Sequence, residues 1–314
     1  MRNRTTIVDV ARVAGVSKSL VSLAIRDDPG VSEETRARIL RVAEDLGYRS
    51  NLWARSLVQG STGLVGVLLT DLSNDYHTDV VIGLEDAATE RGLGVLIGHG
   101  RRDAERLTAQ LDRFVQLGVD GIVVISAHTP YAALERVVRE TPTVVVGRPR
   151  SIPDGVSQVC NDDDLGGSLA VHHLLDLGRE RVAFFQGSNS PSAVARRDAY
   201  IRVVLERGLT PRVLRSGELG SAPLRNLDGV FASNDRGAAQ VLGAALDAGL
   251  RVPDDVAIVG YDDIQLARFM RPQLSSMVQP RLAMGRRALE ILLGGGVVRE
   301  VHAPELVVRA SSAG

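Results

Sequence analysis

Apolar residues at positions 7, 8, 10, 11, 13 and 14 fill one face of a short helix over 7–14. Gly15 interrupts that pattern, and glycine takes a left-handed backbone without steric cost. Ser17 stands where an N-cap is wanted, which predicts a second helix over 18–25. Val21 and Ala24 turn inward from it and leave Lys18, Ser19, Ser22 and Leu23 on the outer face. Pro29-Gly30 closes the stretch. Ser32 caps a third helix, whose first turn carries Glu33 and Glu34 in favour of the helix dipole. Ile39, Leu40, Ala43 and Leu46 form its apolar stripe, and Gly47 stops it. Two helices joined by so short a turn make a helix–turn–helix, a unit that reads the major groove of DNA.

Beyond Gly63 the pattern changes. Apolar runs at 64–69, 95–97, 121–125 and 144–146 alternate with helical patterns at 80–91, 104–117 and 134–139. A second series follows: an extended 157–160, strands at 182–185, 229–232 and 256–259, and helices at 165–177, 195–207 and 236–248. Runs that are apolar throughout predict parallel strands covered on both faces. The fold class is therefore α/β: an all-α headpiece of three helices, then two doubly wound parallel sheets. Such sheets bind ligands in the crevice at the carboxyl ends of their strands.

Length and charge sharpen this picture. The chain has 314 residues, enough for two or three domains. The first sixty residues hold ten Lys+Arg against seven Asp+Glu, and the remainder holds 27 against 31. A basic head on an acidic body suits phosphate contact at one end only. Lys18 is the only lysine. A single cysteine, Cys160, excludes an internal disulfide and suits a reducing cytoplasm. There is no apolar leader and no run of eighteen apolar residues, so no membrane partner is expected.

The amino-terminal segment resembles the headpiece of the LacI/GalR family of bacterial transcription regulators. The match runs through Ile7-Val8-Asp9-Val10-Ala11, Ala14-Gly15-Val16-Ser17, Val21-Ser22 and Val31-Ser32-Glu33-Glu34-Thr35-Arg36. It continues with Gly47-Tyr48 and with Asn51, Ala54, Arg55, Ser56 and Leu57. The resemblance implies a headpiece over 1–49, a hinge helix and linker over 50–62, and an effector-binding and dimerisation domain over 63–314. That last domain would resemble type I periplasmic binding proteins, with one subdomain at 63–158 plus 281–297 and another at 159–280 plus 298–314. Chain crossings are expected near 158–162, 276–281 and 296–302. The helix at 282–293 should return to the first half, and 306–309 should end on the second.

The resemblance implies DNA contacts from Thr6, Ser17, Lys18, Ser19, Ser22, Leu23 and Arg26, the last to phosphate. It adds Asn51, Ala54, Arg55 and Leu57 in the hinge, with Leu57 as the wedge that enters the minor groove. Leu23 stands where many relatives carry arginine, and it can only pack or touch a thymine methyl. Ser50 replaces the usual proline, and Trp53 is an unusual hinge residue.

For the crevice, polar groups at strand ends are the physical candidates: Asp71, Ser126, Arg148, Asp162, Asn234, Asp235 and Asp262. The resemblance sharpens the set to Thr70, Asp71, Tyr76 and His77 on the loop after the first strand, with Ser126, Arg148, Asp162, Arg196, Asn234, Asp262 and Gln279. Asp235 and Asp263 are read as loop braces. Carboxylates, amides and arginine together suit hydroxyl-rich ligands such as sugars and nucleosides. Gly147 stands where some relatives have an acidic residue. The stretch 210–227 is shorter than in relatives, and the helix they carry before the strand at 229 is not expected here.

These expectations describe a cytoplasmic homodimeric repressor of a palindromic operator, controlled by a small-molecule effector, a carbohydrate by family habit. No cofactor and no metal are called for, and no catalytic constellation emerges. A transport solute-binding protein would instead show a signal peptide and no headpiece. Activation rather than repression stays open.

Overall fold

In the computed structural model, which describes residues 5–48 and 60–313, the apolar stripes of the first helices close on one another. The chain falls into two units, 1–62 and 63–314. In the first, α1 (Ile7–Ala14), α2 (Lys18–Arg26) and α3 (Glu33–Asp45) bury Val10, Ala11, Ala14, Val21, Ala24, Ile39 and Ala43 against each other. Gly15 has φ 66°, as the break between α1 and α2 demands. The Ser17 hydroxyl accepts from the Leu20 amide at 3.2 Å. Helix α2 ends before Pro29-Gly30, at Asp27, which takes a left-handed conformation at φ 60°. Arg36 of α3 holds that exit. It donates to the carbonyls of Ala24 (3.1 Å) and Asp28 (2.7 Å) and pairs with Asp27 at 2.6 Å. Leu40, read as core from its spacing, is exposed. It lies one position past the buried Ile39 and so falls off the stripe.

The second unit contains two sheets. Its first half holds β1 (Leu64–Leu69), α4 (Asp75–Thr89), β2 (Gly94–His99), α5 (Ala104–Gln116), β3 (Gly121–Ile125), α6 (Tyr131–Val137), β4 (Thr143–Val146) and β5 (Ser157–Asn161). Next come α7 (Asp163–Asp176), β6 (Val182–Gln186), α8 (Pro191–Glu206), β7 (Val213–Arg215), α9 (Ser221–Arg225), β8 (Gly229–Ala232), α10 (Asp235–Asp247), β9 (Ala257–Asp262), α11 (Gln265–Phe269) and β10 (Ser275–Val278). The chain then returns through α12 (Arg281–Gly294) and β11 (Arg299–His302) and finishes on β12 (Glu305–Val307). The strand orders are β11-β5-β4-β3-β1-β2 and β12-β10-β9-β8-β6-β7. All pairs are parallel except β12 on β10, an antiparallel edge that the sequence reading did not foresee. Each sheet is covered on both faces by apolar clusters.

Three expectations shift. Strand β5, assigned to the second half from residue 159 onward, pairs with β4, so the first crossing follows Asn161. Strand β11, assigned to the second half from residue 298 onward, pairs with β5 in the first sheet, so the last crossing lies just beyond His302, at the far end of the expected 296–302. The stretch 210–227 does contain a helix, the single turn α9. Leu224 within it and Leu227 just after it fill the second core with little chain. Among the described residues no helix is long and apolar enough to cross a membrane.

The long contact between α4 and α12 anchors the returning segment to the first half, and it depends on glycine. A methyl at Gly285 would strike the Val80 carbonyl, and one at Gly83 would strike the Leu282 carbonyl. Gly285→Ala should therefore destabilise the body by about 1–3 kcal/mol, since backbone atoms have no rotamer to escape through. Gly243→Ala is the contrast, because nothing lies near its Cβ position on the exposed side of α10. It should stabilise by roughly 0.5–1 kcal/mol. Urea midpoints of the two variants moving in the same direction would refute this account of the packing.

Candidate functional site

Strands of a doubly wound sheet end together, so the residues after them meet at one edge. Here both sheets end on a shared cavity of about 460 Å³. The first half supplies Thr70 and Asp71 after β1, Ser126 and His128 after β3, and Arg148 and Arg150 after β4. The second supplies Ser188 and Ser190 after β6, Ser233 and Asn234 after β8, Asp262 closing β9, and Gln279 after β10.

The floor is built around Arg196. Its helix α8 begins at Pro191 with Ser190 as cap, earlier than the apolar pattern indicated, and this places Arg196 on the inward face. Only 6% of the residue is exposed. Its Nε donates to Asp163 Oδ1 at 2.9 Å and its Nη1 to the Ser233 carbonyl at 2.7 Å. Asp262 Oδ1 lies 3.6 Å from Nη1, and the guanidinium carbon sits 3.4 Å from the centroid of the Tyr261 ring. Burial opposes the charge of Arg196, but Asp163, Tyr261 and Asp262 outweigh it and raise its pKa. Asp163 is shared with Arg148, whose Nε stands 3.4 Å away. Asp262 accepts from Gln279 Nε2 at 2.5 Å. Burial raises its carboxyl above the usual range, while Arg196 and Arg281 pull it back. Asp262 also has φ 103°, and Asp263 after it φ 46°. Such backbone is strained for residues with side chains and is held only where surroundings over-determine it.

Asp235 braces this floor from behind. It is fully buried, accepts from Ser276 Oγ at 2.5 Å and the Ile264 amide at 2.8 Å, and does not line the cavity. Burial, with Asp262 next to it, pushes its pKa up to about 8. Asp263 accepts from Arg309 at 2.6 Å.

The first-half wall is looser. His77 Nδ1 donates to the Asp71 carbonyl at 2.9 Å, and burial lowers its pKa. Tyr76 and His77 lie in the first turn of α4 and not on a loop, because Asn74 caps the helix early. Burial, then Asp163 and Asp262, hold the Tyr76 phenol above its ordinary value.

Of the crevice residues named from sequence, Thr70, Asp71, Tyr76, His77, Ser126 and Arg148 line the cavity from one side. Arg196, Asn234, Asp262 and Gln279 line it from the other. Asp162 does not. Its carboxylate accepts from the Leu165 amide at 2.9 Å as the cap of α7. Its neighbour Asp163 takes the place inside. Also unforeseen were Arg102, His128, Arg150 and Asn161. Asn161 donates to the Tyr261 hydroxyl at 2.6 Å, and its buried Oδ1 has no partner.

On the headpiece, Lys18 and Ser19 are exposed and Ser22 and Leu23 half-buried on the outer side of α2. Ser17 is exposed while its hydroxyl caps α2. Thr6 donates through Oγ1 to Asp9 at 2.7 Å in a capping box. Arg26 is turned aside to Asp28, 3.0 Å away. Asn51, Trp53, Ala54, Arg55 and Leu57 lie outside the described residues.

With this geometry in view, residues 6–51 match the profile of bacterial regulatory proteins of the lacI family. Residues 62–218 match periplasmic binding proteins and the sugar binding domain of the LacI family. Residues 171–312 match a periplasmic binding protein-like domain. The chain is similar to the ribose operon repressor of Escherichia coli K12, at 34% identity over 305 residues and 92% of each chain. Among solved structures it is similar to a transcriptional regulator CelR–cellobiose complex, with a TM-score of 0.70 and 27% identity over 98% of this chain and 100% of that one. The lac repressor dimer bound to operator and the anti-inducer ONPF shares the fold, with a TM-score of 0.85 at 22% identity over 99% and 100% of the two chains.

The raised pKa of Asp235 carries a pH signature. An unfolded aspartate titrates near 3.8 and the folded one near 8, so the folded state holds the proton more tightly. The stability this confers is fully present below the lower value and is lost as pH rises through the upper one. The slope reaches at most about 1.4 kcal/mol per pH unit. Asp235→Asn should abolish that decline, so urea midpoints of the two proteins should diverge between pH 5 and pH 8 in favour of the variant. Parallel curves would mean that Asp235 is ionised in the fold.

Proposed function

The chain belongs to the LacI family of bacterial regulatory proteins and is a DNA-binding transcriptional regulator, and we propose that it acts as a homodimeric repressor whose hold on a palindromic operator is set by a carbohydrate in the body's cavity. The observation that carries this reading is the cavity itself: hydrogen-bonding groups from both sheets converge on a space the size of a small sugar. A related regulator is known as a cellobiose complex, and another is named a ribose operon repressor. The relatives are regulators, and the reading assigns no reaction to this chain; it works in the cytoplasm.

In this reading Lys18, Ser19, Ser22 and Leu23 face the major groove, with Thr6 and Ser17 at the edges of the contact. Arg26 serves phosphate only if it leaves Asp28. Asn51, Ala54, Arg55 and Leu57 contribute the hinge contacts, with Leu57 entering the minor groove. In the cavity Arg196, Asp262, Asn234 and Gln279 hold hydroxyls from one side, and Thr70, Asp71, Tyr76, His77, Ser126 and Arg148 from the other. Asp163 replaces Asp162 in that set. The two halves already touch: Arg236 donates to the Ser73 carbonyl, and Arg281 of α12 donates to the Asp263 carbonyl at 3.2 Å. A ligand gripping both halves changes their balance only by favouring one closure state over another.

Two measurements test this. Selection from random duplex should return a palindrome, and Lys18→Ala should weaken binding by roughly 1–3 kcal/mol and relax the preference at the base it faces. An unchanged preference at every base would remove Lys18 from the groove contacts, and absence of any preferred sequence would overturn the operator reading. A thermal-shift screen of the full chain against sugars and polyols should raise the melting temperature, since ligand at a hundred times Kd adds about 2.7 kcal/mol.

A further inference from the structure

The cavity is not electrostatically balanced. Arg102, Arg148, Arg150 and Arg196 line it against Asp71, Asp163 and Asp262. The carboxylates are already engaged. Asp163 serves Arg196 and stands beside Arg148. Asp262 accepts from Gln279. Asp71 accepts from the Ser73 amide and hydroxyl, both at 2.9 Å, and lies 3.5 Å from Arg102. One cation is left over. Arg150 makes no ion pair among the described residues, and Arg148 Nε is buried without a hydrogen bond.

Geometry points the same way. Arg102 sits in a turn where two successive non-glycine residues, Arg101 and Arg102, have φ of 51° and 62°. Backbone of that kind marks a place where side-chain position has been favoured over local comfort. The turn is tied by the Arg102 amide donating to the Thr70 carbonyl at 3.1 Å, which sets Arg102 at the first-half rim. His128 stands close to both Arg102 and Arg150; burial lowers its pKa first, and those two cations lower it further. Tyr76, Ile125, Ala127, Val146 and Ala193 supply the apolar lining, against which the carbon face of a sugar can rest.

We infer that the effector is a polyhydroxylated anion, a sugar bearing a phosphate or carboxylate group, with its charge placed at the rim formed by Arg102, Arg148, Arg150 and His128. This rests on the carbohydrate reading above and names the class within it. Arginine recognises both anions through paired donors, and at this rim Arg150 has no carboxylate of its own among the described residues. The unpartnered Asn161 Oδ1 accepts a hydrogen bond from a ligand hydroxyl at the floor.

Calorimetry on the full chain tests it with D-ribose, D-ribose 5-phosphate, D-ribonate, D-glucose, D-glucose 6-phosphate, D-gluconate and inorganic phosphate. At least one charged sugar should bind about tenfold or more tighter than its neutral parent, with the advantage shrinking as salt is raised. Arg150→Gln should shrink the ratio of charged to neutral affinity in the same direction. A phosphate ester winning assigns the phosphate form, and an aldonate winning the carboxylate form; both support the inference. A neutral parent binding as tightly as its charged derivatives overturns it while leaving the carbohydrate reading intact. Inorganic phosphate binding as tightly as the sugar phosphate overturns the polyol part. If neither neutral nor charged sugars bind, the carbohydrate reading falls and this inference falls with it.

Discussion

Burying the guanidinium of Arg196 is the constraint to which the body answers. Removing such a group from water costs several kcal/mol unless partners meet its donors closely. Those partners come from separate places: Asp163 opens α7, Ser233 follows β8, and Asp262 ends β9. The face of Tyr261 covers the remaining side. Satisfying one side chain thus fixes how two helices and two strand ends meet. The sequence around α7 reflects this. At Gly166 a methyl would strike the Tyr261 hydroxyl, and at Gly167 it would crowd the Arg196 backbone. The pair Gly166-Gly167 costs helix propensity, and close approach to α8 and β9 is what that cost obtains. The strained backbone at Asp262 belongs to the same arrangement, held there by Gln279 and Arg196.

What could be read from the chain divides along a physical line. The headpiece was legible because its signals are local: a cap at Ser17, a break at Gly15, a stripe at Ile39 and Ala43. The crevice was largely legible because a parallel sheet places whatever follows each apolar run at a common edge. Asp71, Ser126, Asn234 and Asp262 are all found in that way. Errors arose where the deciding contact is distant in sequence. Strands β5 and β11 look like members of the second half until their pairing with each other and with β4 is seen. In Asp162-Asp163-Asp164 composition announces acid without saying which one faces inward. The helix decides, because its cap requires Asp162 and the next residue then points into the cleft. Arg102 left no trace at all, since its placement depends on left-handed backbone at residues that rarely adopt it.

The cavity therefore combines two electrostatic regimes with different tolerance for change. At the floor, Arg196 and Asp163 are both almost fully buried, and losing either partner strands a charge at a cost of roughly 3–5 kcal/mol. At the rim, Arg102 and Asp71 are in contact with water, where ion pairs contribute little, about 0–1 kcal/mol. Substitutions at the rim are accordingly compatible with the fold, whereas those at the floor are not. The division also suits a switch. The rim belongs to the first half and the floor mostly to the second, so a ligand must span both to sense their separation. A molecule satisfying only the rim would bind without favouring one closure state, and a molecule with equal affinity for both states moves no equilibrium.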